Sequence, residues 1–575
     1  MNRKKHVYAA KEAATMSHDD ARKRAAHLVP QPDSVLLGAG VLQLPAELLV
    51  RLDVPSEELA AVLRAIALLP VTSKVVTEPA VLQVLLRAGA TPPEGYVLDV
   101  TEAGVTITAA DRSGVVHAVQ TLRQLLPDAA YRQAAPSDVQ WVAPVVRVED
   151  SPRFRWRGML LDVARHFLPK REVLRHLDLM SAHKLNTLHL HLSDDQGWRV
   201  ESLRFPRLHE VGSWRATSQV SHYSDEAVHD GTPHGGYYTR DDLAEIVTYA
   251  ADRAITVVPE IGVPGHTGAL LAAYPEFGSP AVPDRAVHTD WGVHDALLAP
   301  SERSLEFLRL LFDELLPLFP SPYVHVGGDE SVLRAWDDDP VVRAFADERR
   351  LSGSAEIFAA LMAEVRQMLA EHGKTPVTWD DSFAAQGTAA DAESTTTLVM
   401  AWRGAEVARR AAAAGHDVVL SPVMPTYFDY FQEAHPDEPL AIGGPVTLGD
   451  VTSWEPVPQD WSEAESVRVQ GIQCQMWTEF VEDPRLVDYL LYPRTCAFAE
   501  IAWGSGTQDL HRRLPRHLDR LAAAGVEFRP LTGPAPWQRG GTGRRAHRAG
   551  VPMAERLANY ADAAATGTVA DSPDV

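Results

Sequence analysis

The chain has 575 residues, 45% apolar and 23% charged, a globular composition that excludes wholesale disorder. Lys and Arg number 54 against 77 Asp and Glu, a formal net charge of −23. That balance speaks against nucleic acid or an anionic membrane as the main partner, since both are held by clustered Lys and Arg, and it leaves neutral ligands open. Two cysteines, Cys474 and Cys496, are too few for a disulfide framework or a four-cysteine zinc site.

Residues 1–30 are charged and Ala-rich, and no apolar segment of signal-peptide type follows the basic start, so they read as a flexible leader or a marginal helix on a cytoplasmic protein. No run approaches the roughly 18 apolar residues of a membrane helix. Residues 31–150 carry strand patterns at 73–77, 95–101 and 104–109 and a helical pattern at 114–126. They read as a small α+β domain with no constellation tied to chemistry. Residues 529–575, rich in Gly, Ala, Pro and Arg, read as a partly disordered C-terminal extension.

Between them, residues 151–528 hold eight short runs of aliphatic or β-branched residues, at 157–163, 186–193, 255–261, 323–326, 376–379, 397–402, 417–421 and 471–477. Helical periodicity lies between most of them. At 239–253, Thr239 and Asp242 suggest a capping box, and Leu243, Ile246, Val247 and Ala250 share a face. Eight strands alternating with helices over this length predict a (β/α)₈ barrel. A doubly wound sheet is the alternative, but no glycine-rich phosphate turn follows a strand.

A barrel puts its chemistry at the C-terminal ends of its strands. There the sequence places Asp162; His191, Asp194 and Asp195; Glu260 and His266; Asp329 and Glu330; Trp379, Asp380 and Asp381; Trp402 and Arg403; Tyr427 and Asp429; and Trp477 and Glu479. The sharpest motif is His325-Val-Gly-Gly-Asp-Glu330. Two glycines allow a tight turn, and two carboxylates held close split their pKa values, so that one keeps a proton while the other is ionised. The plainer reading of Asp-Glu is a helix start. Trp379, Trp402 and Trp477, on three different strand ends, suggest walls for a sugar ring. His189 and His191 share one strand face, and with His266 and His325 they raise a metal-dependent amidohydrolase as a rival. Lining the barrel and bonding to carboxylates is the simpler role for these histidines.

RGMLLDVARHFLP, LHLHLSDDQGWRVES, VVPEIGVPGHT, YVHVGGDES, VTWDD, MAWRG, LSPVMPTYFDYF and GIQCQMWTEF follow one another in order. Together they resemble the β-N-acetylhexosaminidases of glycoside hydrolase family 20, and the leading α+β region resembles the non-catalytic domain that precedes that family's barrel. The resemblance implies Glu330 as general acid/base and Asp329 as the residue orienting the acetamido group. It implies Asp194 and His266 as their support and Tyr427 as donor to the acetamido carbonyl. Trp379, Trp402 and Trp477 would wall the sugar, Arg157 would hold its 3- and 4-hydroxyls, and Asp429 and Glu479 would bind the outer hydroxyls. Gly262 stands where many members carry an acidic residue of the network supporting the histidine.

The activity so implied is that of an exo-acting, retaining enzyme without cofactor or metal. It would remove terminal GlcNAc or GalNAc from an N-acetylhexosamine-terminated oligosaccharide or glycoconjugate, as in chitin degradation, with the substrate's own acetamido oxygen as nucleophile. Release of a disaccharide is the nearest alternative, and a non-catalytic carbohydrate-binding protein a more distant one.

Overall fold

The computed structural model describes residues 18–223, 225–282, 285–386, 397–504 and 506–540. Its first unit is a seven-stranded mixed sheet of β1 (Ser34–Gln43), β2 (Glu47–Asp53), β3 (Thr72–Val75), β4 (Leu82–Leu86), β5 (Tyr96–Thr101), β6 (Gly104–Ala109) and β7 (Val142–Asp150), in the order β1-β7-β5-β6-β4-β2-β3. Alternation decides its faces. Leu98, Val100, Val105 and Ile107 turn inward onto Val115, Ala118, Val119 and Leu122 of the helix Arg112–Leu125, while Arg147 and Glu149 face out. That helix starts where the Asp111 carboxylate accepts from Gly114 N at 3.0 Å.

The second unit is a closed barrel of eight parallel strands: β8 (Trp156–Asp162), β9 (Thr187–His191), β10 (Thr256–Glu260), β11 (Tyr323–His325), β12 (Thr375–Trp379), β13 (Leu398–Ala401), β14 (Asp417–Leu420) and β15 (Val469–Met476). Each of the eight runs marked in the sequence overlaps one strand within about two residues at either end. Most of these strands are buried on both faces, as helix-covered parallel strands must be. The helix Arg240–Ala251 carries the expected capping box, with Asp242 N donating to Thr239 Oγ1 at 3.1 Å and Thr239 N to Asp242 Oδ2 at 3.1 Å. Among the described residues no helix is long and apolar enough to cross a membrane.

Two boundaries need correction. Of the two readings of the N-terminal segment, the helical one holds over 18–25, and residues 18–30 are not loose. The helix His18–Ala25 is docked through Arg24, whose guanidinium donates to Leu125 O at 2.7 Å and Val142 O at 2.6 Å, and Leu28 and Val29 are buried. Charge and low hydropathy hid the segment because its anchor is a cation satisfied by backbone carbonyls. Residues 1–17 lie outside the described residues. At the other end, residues 529–540 are folded back: Arg529 donates to Glu438 at 2.7 Å and Gln538 to Phe528 O at 3.1 Å. The remainder of the extension, 541–575, lies outside the described residues.

The two units share a buried polar seam at the N-terminal end of the barrel. Arg157 lies fully buried there, at the start of β8, and its Nη2 meets Glu94 of the small unit at 2.6 Å. Lys184 Nζ meets Asp150 at 2.5 Å, and Trp503 Nε1 donates to the same carboxylate at 2.8 Å.

Candidate active site

The C-terminal mouth of the barrel holds a cavity of about 880 Å³, counting its open entrance. Of the eleven site residues marked in the sequence, nine line it: Glu330, Asp329, Tyr427, His266, Trp379, Trp402, Asp429, Trp477 and Glu479. Asp194 sits just beneath them. Arg157 does not belong there. It occupies the opposite end of the barrel, where its donors go to Lys184 O at 2.8 Å, Phe154 O at 2.8 Å and Glu94. The arginine in the cavity is Arg165, eight residues on, in the loop after β8. Its guanidinium meets Asp194 at 2.9 Å, Asp162 at 3.3 Å and Glu479 at 3.6 Å, and lies 4.8 Å over the Trp477 ring. Arg165 is absent from the strand-end residues named from the sequence, although the loop after β8 opens into the mouth and the same rule extends to it. Arg157 precedes the strand's apolar run and therefore sits at its lower end.

Backbone strain marks the acid loop. Gly327 and Gly328 take φ of +69° and +88°, and Glu330 and His266 both have positive φ, at +42° and +54°. Side chains rarely adopt that region, and it concentrates where function over-determines geometry. The glycines also allow close packing. A Cβ on Gly328 would lie 2.0 Å from Ser382 Oγ, and one on Gly327 would lie 2.9 Å from Gly262 Cα. The turn therefore presses Asp329 and Glu330 into the mouth together.

His266 stands under both carboxylates. Its Nε2 is 3.4 Å from Glu330 and 3.7 Å from Asp329, and its Nδ1 is 3.3 Å from both Asp194 and Asp195. Burial alone would make this imidazole neutral, but Asp194, Asp195 and Asp329 hold its pKa well above the ordinary histidine range. Asp194 shows the converse. Burial pushes its carboxyl up, yet Arg165, His266 and His191 hold it well below the usual range.

Asp329 is pushed up to about 8 by its burial, against the pull of His266 and with the added repulsion of Glu260, Asp381 and Glu330. That shift favours its protonated form near neutral pH. Glu479 is also raised, first by burial.

Beneath the cavity lies a histidine layer. His191 sits between two carboxylates, Nδ1 bonded to Glu260 and Nε2 2.8 Å from Asp194, so both ring nitrogens bear protons and the ring is a cation. Burial opposes that charge, but Glu260 and Asp194 raise the pKa to about 10. His189 lies 2.9 Å from Glu260, accepts from Gln473 Nε2 on its other nitrogen, and is driven by burial to about 4. Trp379 Nε1 donates to Glu260 at 3.0 Å.

His189, Glu260 and His325 offer three atoms within 4.8 Å, as do His266, Asp329 and Glu330. In the first group the donors already serve a common carboxylate. In the second group the imidazole already serves the two carboxylates directly, with Nε2 3.4 Å from Glu330 and 3.7 Å from Asp329.

The walls are aromatic: Trp379, Trp402, Trp477 and Tyr427, with Trp379 and Trp477 ring centroids 6.0 Å apart and Tyr427 and Trp477 6.4 Å. Trp402 Nε1 donates to Asp381 at 2.8 Å. The outer rim adds Tyr223, Trp291, Val293, Ile442 and Phe480, none marked in the sequence. Tyr223, Trp291 and Val293 come from long irregular segments whose only local signal is an aromatic or apolar side chain. Trp291 is pinned across two of those segments, its Nε1 donating to Gln219 O at 2.9 Å and its backbone N to Gln219 Oε1 at 3.0 Å.

Comparisons with known proteins bear on both units of the fold. Residues 154–506 match the model of the glycosyl hydrolase family 20 catalytic domain, and residues 25–151 match that family's domain 2. A beta-hexosaminidase of Porphyromonas gingivalis is 35% identical over 456 residues, 78% of this chain and 56% of that protein, so the chain spans little more than half of that relative's length. The solved structure of Streptomyces plicatus N-acetyl-beta-hexosaminidase in complex with thio-NAglucal superposes with a TM-score of 0.74 at 33% identity, covering 89% of this chain and 98% of that one. An exo beta-N-acetylglucosaminidase of Vibrio harveyi in complex with N-acetylglucosamine gives a TM-score of 0.75 at 30% identity, covering 88% of this chain and 78% of that one.

Proposed function

The chain belongs to glycosyl hydrolase family 20, and from that premise we propose that it is an exo-acting, retaining β-N-acetylhexosaminidase that removes terminal β-linked GlcNAc or GalNAc by substrate-assisted catalysis. One observation carries the reading: Asp329 and Glu330 are consecutive on one strained loop, above a single histidine and facing aromatic walls.

A retaining glycosidase with an enzyme nucleophile sets two carboxyls about 5–5.5 Å apart, one on either side of the scissile carbon. Two neighbours on one loop suit a different division of labour. The substrate's acetamido oxygen attacks the anomeric carbon, and the C1–O bond to the leaving group breaks. Glu330 gives its proton to the departing oxygen, so an oxazolinium and a free alcohol result. Water, losing a proton to Glu330, then opens the ring with retention.

Oriented intramolecular attack reaches effective molarities of about 10⁵–10⁸ M, so the protein needs only to hold the acetamide in line. Asp329 takes the acetamido N–H and stabilises the positive charge that develops on it, and Tyr427 donates to the carbonyl end. His266, held as a cation, keeps one proton close to the two carboxylates. Trp379, Trp402 and Trp477 exclude water around the N-acetyl group and the ring. Arg165, rather than Arg157, takes the 3- and 4-hydroxyls, with Asp429 and Glu479 on the remaining hydroxyl edge.

The test is rate on an aryl β-GlcNAc, an aryl β-GalNAc and the matching β-glucoside. The reading expects cleavage of at least one acetamido sugar and almost none of the glucoside. Comparable rates on all three overturn it, because no acetamido nucleophile would then be needed. Product analysis on chitooligosaccharides distinguishes release of a monosaccharide from release of a disaccharide.

A further inference from the structure

Two strand-end dipeptides, Asp380-Asp381 after β12 and Trp402-Arg403 after β13, grip each other crosswise. These strands are hydrogen-bonded neighbours, with Trp379 in register with Met400, so the dipeptides leave the sheet side by side. Asp380 takes Arg403 twice, Oδ1 from Nε at 2.7 Å and Oδ2 from the backbone N at 3.1 Å. Asp381 takes the Trp402 indole N–H on Oδ2 at 2.8 Å and lies 3.6 Å from Arg403 Nη2.

All four side chains are buried, yet the group is not internally closed. Among the described residues, Asp381 Oδ1 and Arg403 Nη1 have no hydrogen-bond partner. The next residue, Ser382, packs directly on Gly328 in the turn that delivers Asp329. A buried carboxylate oxygen is costly to leave unbonded unless its charge serves something nearby.

We propose that Asp381, with Arg403 as its counter-charge, is a positioning residue for the reaction: it aims the Trp402 indole into the acetamide pocket and supplies fixed negative charge behind the Asp329–Glu330 loop. Two separable effects follow. The first is mechanical, through the indole N–H. The second is electrostatic. Asp329 faces Glu330, Glu260, Asp381 and His266, and the three carboxylates among these favour its protonated form. Asp381 in turn faces Arg403, Asp380 and Trp402, and burial raises Asp380 to about 6 against the pull of Arg403.

The reaction needs one proton on the Asp329–Glu330 pair, so activity falls when both are protonated and when both are ionised. Removing a nearby negative charge eases both ionisations, whichever residue holds the proton. The whole bell of kcat/KM against pH then moves toward acid.

The inference rests on the function proposed above and is tested with the full chain on an aryl β-GlcNAc. Asp381→Asn keeps an acceptor for Trp402 and removes the charge. Its bell is expected to move toward acid by on the order of 1 pH unit, with KM at the optimum changed less than about threefold. Asp381→Ala is expected to show the same displacement together with a KM raised tenfold or more, because the indole is released. Trp402→Phe is expected to raise KM without displacing the bell.

A folded Asp381→Asn whose profile superimposes on the wild type, or whose rate falls equally at every pH, overturns the inference. If Asp381→Asn does not fold, Arg403→Lys takes its place. Lysine keeps the cation but loses the fork, so screening weakens and the bell is expected to move toward alkali; superposition again overturns the inference. A wild type inactive on every acetamido sugar counts against the functional reading, whereas an active wild type with an unmoved variant counts against Asp381 alone.

Discussion

Trp379 Nε1 donates to Glu260 Oε1 at 3.0 Å, so the floor of the sugar cavity and the histidine layer beneath it hang from one carboxylate. The same Glu260 holds His191, whose other nitrogen bonds to Asp194, and Asp194 holds Arg165 and His266. Arg165 and His266 are thus reached from Glu260 in three contacts, and Asp329 and Glu330 in a fourth, through His266.

Glu260→Ala should be among the most damaging single changes. It leaves a buried imidazolium with one counter-ion fewer and frees Trp379, and breaking a buried pair costs about 3–5 kcal/mol. Burial pushes Glu260 up, but its histidines hold it well below the ordinary range, so its contribution is present above about pH 4.5 and is lost on acidification. His191, raised, contributes fully below about pH 6.5 and loses that contribution as pH rises through about 10. Thermal unfolding from pH 4 to 10 should show the largest gap between wild type and variant at pH 5–6.5. An equal gap at every pH would mean that only packing was lost.

Asp329→Asn should separate activity from stability. The folded-state pKa is raised, so ionising Asp329 costs stability as pH climbs from about 4 through about 8. The amide avoids that cost. The variant should match the wild type near pH 4 and exceed it at pH 9 by on the order of 2 kcal/mol, while kcat falls about 10²–10³-fold. A variant less stable at pH 9 would show that the carboxylate is held by favourable contacts instead.

Glu330→Gln and Asp329→Asn should also differ in their dependence on the leaving group. A phenol of low pKa departs with little help, whereas a sugar alkoxide needs the proton. The cost of Glu330→Gln should therefore rise steeply along an aryl-to-disaccharide series. The cost of Asp329→Asn should stay large and flat, because the acetamide must be oriented whatever leaves. Exchanged slopes would exchange the two roles.

The two arginines of the first barrel strand and its loop make opposite predictions. Arg165→Met should cut kcat/KM by 10²-fold or more, since Arg165 touches the cavity and anchors Asp194 and Glu479. Arg157→Met should leave kinetics near normal and cost about 3 kcal/mol of stability, because Glu94 loses a buried counter-charge. Paired kinetics and melting curves of the two variants decide the matter.

Gly328→Ala should fail where Gly262→Ala succeeds. At 328 a methyl group meets Ser382 Oγ at 2.0 Å and φ is +88°, whereas at 262 the nearest atom is Gly265 O at 4.0 Å. The expected costs are more than 2 kcal/mol, with displacement of the acid loop, against less than 1 kcal/mol. Melting temperature and kcat of both proteins provide the check.

What the sequence made legible follows its periodicity. Parallel strands are short apolar runs bounded by turn residues, so all eight could be marked from pattern alone, and strand-end chemistry then singled out Asp329, Glu330 and the three tryptophans. Arg157 went astray because family likeness weighs a motif as a whole, while only the position along β8 says which end of the barrel a residue reaches. Tyr223 and Trp291 were invisible for another reason: their segments have no period, and their place on the rim is set by contacts such as Trp291 to Gln219. Arg24, which docks the first helix, bonds to carbonyls, and carbonyls leave no mark in a sequence.

The seam between the small sheet and the barrel bears on how little of this chain can be cut away. Arg157 and Lys184 belong to the barrel, but Glu94 and Asp150, the carboxylates that neutralise them, arrive with the first 150 residues. An isolated barrel would open onto water with two stranded cations in its underside and an indole, Trp503, deprived of its acceptor. Trimming to the half that holds the cavity therefore removes the counter-charges on which the barrel's underside closes, because the small sheet supplies them.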